Sequence, residues 1–240
     1  MILVFAGTKD GRDWVLDRLN KGDQIVVSVA TDYGASLYPS HTHLHVVHGR
    51  KNQGEMQLWF AQLTPEQVVD ATHPYAVEVS RNIQEACRAL SLPYERILRE
   101  TVLQTLDSLD VRTFDHYGAI TDHLEKTQGN ILWTIGSNAL DQVMKPNLLL
   151  RSYVRVLPTS VVIKKCEALG LDARRILGMQ GPFSFEMNQA IYRDLNIKHM
   201  VTKDSGTTGG TLEKVLPALE MGIQVLVYGR PNEEEGGDTP

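Results

Sequence analysis

The chain has 240 residues, 42% of them apolar, and a formal charge of −5 with histidine neutral. That length fits one large domain or two small ones, and the apolar share is enough for a real core, which excludes a disordered chain. The acidic total argues against a nucleic-acid footprint, and no apolar run approaches the ~20 residues that cross a bilayer, so a cytoplasmic protein with neither partner is expected.

The opening MILVFAGTKDGR is apolar for six residues and has no basic leader, so it reads as a first core strand (2–6) and not a signal peptide. GTKDGR (7–12) is then a turn into a helix over 11–20. It is not GxGxxG, but its glycines suit close approach of a phosphate or a substrate to the backbone. A second strand (25–30) is followed by Asp32, placed where a dinucleotide domain carries its ribose-binding acid. An ordinary TDYG turn is the equal alternative.

HTHLHVVH (41–48) contains a third strand (44–48), and His41, His43 and His45 share a face if the segment is extended. No acidic or cysteine partner stands at ligand spacing, so a histidine-rich outer strand is expected, and no metal. A helix (52–63) and a strand (68–72) lead to DATHPYA (70–76), where Pro74 keeps His73 out of the helical region and presents His73 and Tyr75 at a strand end. Histidine there is a natural proton donor near neutral pH, although such residues are often structural. A helix (75–91), a strand (94–98) and a weakly periodic crossover (99–110) follow.

The second half repeats the alternation, with helices over 115–127, 159–169, 184–195 and 209–221 and strands over 131–136, 153–157, 175–179, 199–203 and 225–229. Cys87 and Cys166 fall in helical stretches with no CxxC pair and read as small buried hydrophobes. Ser184, after Gly181-Pro182, is a candidate N-cap. The tail NEEEGGDTP has no hydrophobe and reads as a frayed end.

VTKDSGTTGG (201–210) looks at first like a phosphate loop. A Walker A loop needs its lysine after the glycines, and here Lys203 precedes them, so that reading fails. A strand-end lysine beside Asp204 and Ser205, with a glycine-rich approach to a helix, is left as an anion site; a plain turn with Asp204 or Thr211 as N-cap is the alternative. GxSxG, HExxH and CxxC are absent, which leaves little for serine or metal-assisted hydrolysis.

Strands separated by helices predict parallel sheets covered on both faces, and about ten strands exceed one comfortable open sheet. Two Rossmann-like doubly wound domains are expected, 1–98 and 110–231, facing across a cleft, with 232–240 as a disordered tail. Ligands bind beyond the carboxyl ends of such strands, which selects AGTKDGR, DATHPYA, TIGSN (134–138), GMQGPFS (178–184), VTKDSG and YGRP (228–231).

Together these stretches resemble the precorrin-6A reductase family of cobalamin biosynthesis, including its cobalt-precorrin-6A branch. The resemblance runs nearly end to end: GTKDGR, with Asp10 where the family pattern has glutamate, GR at 49–50, DATHPYA, TIGS, RVLP at 155–158, GPF at 181–183, VTKDSG, and GRP at 229–231. It implies a reductase that uses NADH or NADPH without flavin and transfers hydride to the C18=C19 double bond of a tetrapyrrole. On that implication, Lys203, His73, Asp204 and Ser205 surround the reacting ring, with Lys203 or His73 as proton donor. Tyr75, Arg12, Arg50, Arg81 and Arg230 would bind the substrate and its carboxylates, while Gly7, Thr8, Asp32, Gly136, Ser137, Gln180 and Gly181 would serve the cofactor. An acid at Asp32 favours the unphosphorylated ribose of NADH. The rival readings are a non-catalytic tetrapyrrole or nucleotide binder of the same pathway, and a methyltransferase on the same scaffold.

Overall fold

The computed structural model describes residues 1–97, 110–204 and 210–229. Ser205, Gly206, Gly209, Arg230, the crossover over 99–109 and the tail 232–240 lie outside the described residues. The chain divides into two compact units, Met1–Arg99 and Glu100–Pro240.

The first unit runs β1 (Ile2–Ala6), α1 (Lys9–Asn20), β2 (Ile25–Val29), α2 (Asp32–Ser36), β3 (Leu44–His48), α3 (Gln53–Leu63), β4 (Gln67–Ala71), α4 (Val77–Ala89) and β5 (Tyr94–Arg96). Its five strands are all parallel, in the order β3-β2-β1-β4-β5. β1 and β2 are buried at every position because helices cover both faces, which is why they read as apolar runs, interrupted only by Ser28. The period of two sorts β1 between two cores. Ile2, Val4 and Ala6 pack with Val15 and Leu19 of α1, while Leu3 and Phe5 meet Met56 and Phe60 of α3 and Ile83 of α4.

The second unit runs β6 (Val111–Phe114), α5 (Tyr117–Glu125), β7 (Asn130–Trp133), α6 (Leu140–Val143), α7 (Pro146–Leu149), β8 (Ser152–Val156), α8 (Ser160–Ala168), β9 (Ile176–Gly178), α9 (Phe185–Asp194), β10 (Ile197–Lys203), α10 (Thr211–Glu220) and β11 (Gln224–Tyr228). Its six strands are again parallel, ordered β6-β11-β10-β7-β8-β9. Ile131, Trp133, Val201 and Leu226 face Ile120 and Leu124 of α5, and Leu132, Met200 and Val225 face Tyr192 of α9 and Val215 of α10.

Four local expectations change. β6 is an additional strand at the sheet edge; its Arg112 and Thr113 are exposed, so it carries no apolar run. The TDYG segment is a short helix capped by Thr31, whose hydroxyl accepts from the Gly34 amide at 3.1 Å. His41 and His43 sit in the turn before β3, where the His43 amide donates to His41 Nδ1, so they do not share a strand face with His45. Neither Asp204 nor Thr211 caps α10: Gly210 takes the cap position with φ 66°, and Thr211 is the first helical residue. Ser184 does cap α9, accepting from the Met187 amide. Both cysteines are free and buried. No helix among the described residues is long and apolar enough to cross a membrane.

Candidate active site

In the first sheet the strand order reverses between β1 and β4, so the turns after these two strands are neighbours. Such a crevice is where an open α/β sheet takes its ligand. Thr8 fixes it: its hydroxyl accepts from the Gly11 amide at 3.0 Å as N-cap of α1 and donates to the Ala71 carbonyl at 3.2 Å. Gly11 packs so tightly that a Cβ there would lie 2.7 Å from the Ala71 Cβ. This is the work a glycine does in a dinucleotide turn, bringing helix and strand together. Gly7 is exposed at the strand end, and Arg12 is half-buried beside Tyr38. Burial pushes the Tyr38 hydroxyl up to about 12, with the Arg12 charge pulling the other way.

Across the crevice, DATHPYA is anchored from inside the sheet. The Asp70 carboxylate is fully buried and accepts from the Thr72 amide (3.0 Å), the Thr72 hydroxyl (2.6 Å), Tyr94 (3.2 Å) and Arg96 (2.6 Å). Thr72 also meets Ser80 of α4 at 3.1 Å. Beyond these bonds the Tyr75 amide donates to His73 Nδ1 at 3.3 Å, and the two rings lie 5.5 Å apart. With Nδ1 accepting, neutral His73 carries its proton on Nε2. Buried Asp70, through its two bonds to Thr72, therefore positions a half-exposed His73–Tyr75 pair. Burial, then the Asp70 charge, raises the Tyr94 hydroxyl to about 12 and the Cys87 thiol to about 11.

The other candidates of this unit stand further out. Asp32 begins α2 at the carboxyl end of β2 and pairs with His48 Nδ1 at 3.0 Å. Arg50 is exposed after β3. Arg81 is one turn into α4, where its Nε binds Glu85 at 3.0 Å, an ordinary helix-surface pair.

In the second sheet the order reverses between β7 and β10, so the TIGS turn follows the strand next to the one that ends in VTK. The Thr134 amide and hydroxyl both donate to the Val201 carbonyl, at 2.8 and 3.0 Å. Gly136 follows with φ 78° and ψ 173°, a conformation essentially reserved for glycine, and Ser137 opens a short 3₁₀ turn. Lys203 is the last residue of β10, half-buried, and desolvation lowers its ammonium pKa. Asp204 beside it is buried. Gln180 and Gly181 come from the loop after the edge strand β9, yet that loop runs back toward α10: a Cβ on Gly210 would stand 3.1 Å from Pro182.

Sequence reasoning missed a buried polar hub beneath these loops. Asn188 of α9 accepts from Arg155 of β8 at 2.7 Å and donates to the carbonyls of Ser184 and Glu213, both at 2.9 Å. Tyr192 donates to the Lys214 carbonyl at 2.8 Å. The Arg155 guanidinium lies over the Phe183 ring, 4.8 Å from its centre. Lys214 is buried in α10, within electrostatic reach of Arg155, Asp204, Glu213 and Lys203. Its signal was present: Thr211, Lys214, Val215 and Ala218 form the inward stripe of the helix, and a lysine in such a stripe is out of place.

The β1–α1 turn suits a dinucleotide, because Gly11 lets the helix start close against β4 and Gly7 leaves the strand end open. Two all-parallel α/β units with polar residues gathered at their topological switch points define a Rossmann-type protein. The profile of the precorrin-6x reductase CbiJ/CobK family matches residues 1–240, and the chain belongs to that family. It is 33% identical to a cobalt-precorrin-6A reductase of Priestia megaterium, over 98% of this chain and 92% of that protein. It is also 33% identical to the Salmonella typhimurium (strain LT2) cobalt-precorrin-6A reductase, over 99% and 90% of the two chains. A solved structure, CobK precorrin-6A reductase, has the same fold, with a TM-score of 0.78 at 20% identity over 96% of this chain and 88% of that one.

Proposed function

We propose that this chain reduces one double bond, C18=C19, of a precorrin-6A-type tetrapyrrole, with or without cobalt, using NADH or NADPH. The observation that carries the reading is structural: β4 ends in the first residues of DATHPYA and β10 in the first residues of VTKDSG, the two segments that most resemble the family, and both strands flank the switch points of their sheets. The full-length similarity to cobalt-precorrin-6A reductases supports the substrate class. When bound, the reduced nicotinamide supplies a hydride. The two-electron reduction balances when one ring carbon takes that hydride and its neighbour takes a proton from the protein.

Lys203 or His73 donates that proton in this reading. Desolvation eases proton loss from Lys203, and the Nδ1 contact of His73 leaves its proton on Nε2. Asp204, Ser205 and Tyr75 help hold the reacting ring, and Arg12, Arg50, Arg81 and Arg230 take the peripheral carboxylates. Gly7, Thr8, Asp32, Gly136, Ser137, Gln180 and Gly181 receive the cofactor.

The test is an anaerobic assay with precorrin-6A, with and without cobalt, following nicotinamide oxidation. Turnover with one nicotinamide consumed per tetrapyrrole is expected. Binding of both ligands without oxidation identifies a carrier instead. Loss of a general acid lowers kcat by about 10²–10⁴, so Lys203→Ala at full turnover removes Lys203 from the chemistry.

A further inference from the structure

We propose that Asn188 is a positioning residue for the cofactor, fixing the Gln180–Gly181 loop against the start of α10. The proposal rests on the reading above that Gln180 and Gly181 receive the nicotinamide cofactor. That loop has a distance to cover. It leaves β9, the edge strand three places from β10 in the sheet order, so the two strand ends stand about 14 Å apart. Yet the loop meets α10, the helix that follows β10: a Cβ added to Gly210 would lie 3.1 Å from the Pro182 Cβ.

Asn188, 1% exposed in the first turn of α9, holds this crossing with both ends of its amide. Arginine can only donate and backbone carbonyls can only accept, so the network itself orients the group. Oδ1 accepts from Arg155 of β8 at 2.7 Å. Nδ2 donates to the carbonyls of Ser184 at 2.9 Å and Phe183 at 3.4 Å, and to that of Glu213 in α10 at 2.9 Å. The Arg155 guanidinium in turn covers the Phe183 ring, 4.8 Å from its centre. The same ring seats Gly181, where an added Cβ would stand 3.1 Å from Phe183 Cε2. A continuous line of contacts therefore runs from Asn188 through Arg155 and Phe183 to Gly181.

The Glu213 carbonyl has a reason to bond outside its own helix. Its helical partner four residues on would be Pro217, which has no N–H to donate. Asn188 supplies the missing donor, so the residue that closes the proline gap in α10 also grips the loop. Structure and positioning can then be separated. Pro217→Ala gives the Glu213 carbonyl a partner within α10 again, but replaces none of the bonds to Phe183, Ser184 and Arg155.

The experiment compares the unsubstituted protein, Asn188→Leu, Pro217→Ala, their combination, and Arg155→Met. Urea midpoints are read beside the Kd of NADH and NADPH for the protein alone and the two substrates' KM in the anaerobic assay. Asn188→Leu should lower the midpoint and weaken the nicotinamide about tenfold, the effect of one buried polar bond, with the tetrapyrrole KM unchanged. Adding Pro217→Ala should recover part of the midpoint and none of the nicotinamide affinity. Arg155→Met breaks the line at the Phe183 ring with the Glu213 bond left in place, and should also weaken the nicotinamide; it decides the matter if Asn188→Leu does not fold. Unchanged affinity in Asn188→Leu or Arg155→Met, or affinity that returns with the midpoint, overturns the proposal and leaves the reductase reading intact. No nicotinamide oxidation by the unsubstituted protein overturns the reductase reading, and the Kd values then judge Asn188 on their own. No binding of either nucleotide overturns both.

Discussion

The Arg96 guanidinium donates to the Asp70 carboxylate at 2.6 Å, with Asp70 wholly buried and the Arg96 side chain only 13% exposed. This pair joins β4 to its edge neighbour β5 directly beneath the turn that carries His73. Removing the Asp70 carboxylate breaks this buried pair and takes the shared acceptor from Thr72 and Tyr94 as well, at a cost of about 3–5 kcal/mol. Asp70→Ala should therefore lower the urea midpoint strongly. Asp70→Ala combined with Arg96→Met should recover much of that loss without recovering turnover, since Thr72 and the His73 loop would still lack their acceptor. Equal destabilisation in the single and double variants, read from urea titrations, would count against the broken ion pair as the cause.

Gly11 yields a separate stability prediction. Its missing Cβ would meet the Ala71 Cβ at 2.7 Å and the Ala71 carbonyl oxygen at 3.1 Å, both on a central strand that cannot swing away. Forcing a methyl into a packed interface costs about 1–3 kcal/mol. Gly11→Ala should fall in that range by denaturant titration, and Ala71→Gly on the same chain should restore part of the loss. A neutral Gly11→Ala would mean that α1 slides along the sheet without penalty.

The fold was legible where burial is symmetrical. β1, β2, β7 and β11 are covered on both faces, so their mostly apolar runs announce parallel strands whatever they pair with. β6 was not legible, because an edge strand with Arg112 and Thr113 exposed has no such run. The strand-end rule found the turns at both switch points from chain order alone. It could not find what holds them, because the Asp70–Arg96 pair spans 26 residues and the Arg155–Asn188 bond spans 33. Chain order did not show that Arg81, just after DATHPYA, pairs with Glu85 one helical turn away. Lys214 was not singled out, because Glu213 beside it makes the helix look exposed there, although its spacing from Thr211 and Ala218 is that of the buried stripe.

Acid stability should depend on His199, at the opposite end of the second sheet. It is buried in β10, with Nε2 at 2.9 Å from the Gln128 carbonyl and Nδ1 at 3.3 Å from the Gln224 side chain. Desolvation lowers its pKa below 6.5, outweighing these two bonds, and the nearby charges of Arg151 and His123 act in the same direction as burial. The unfolded chain then binds the proton more readily, so stability falls as pH drops below about 6.5 toward the folded pKa. Urea midpoints between pH 8 and 5 should decline over that range and decline less in His199→Gln. An identical slope in both proteins would place the acid sensitivity elsewhere.

Asp32 offers the sharpest test of cofactor choice. It starts α2 at the carboxyl end of β2, the strand next to the β1–α1 turn, and its carboxylate is 89% exposed apart from the His48 contact. An acid at that place accepts from ribose hydroxyls and repels a 2′-phosphate. NADH is therefore expected to protect the protein from heat more than NADPH at equal concentration. A ligand at about 100 times its Kd adds about 2.7 kcal/mol, which a thermal-shift titration resolves easily. Asp32→Ser should narrow the gap by improving NADPH, with NADH losing only its ribose contact. A larger shift with NADPH in the unsubstituted protein would mean that Asp32 stands away from the adenosine, with His48 as its only business at the strand end.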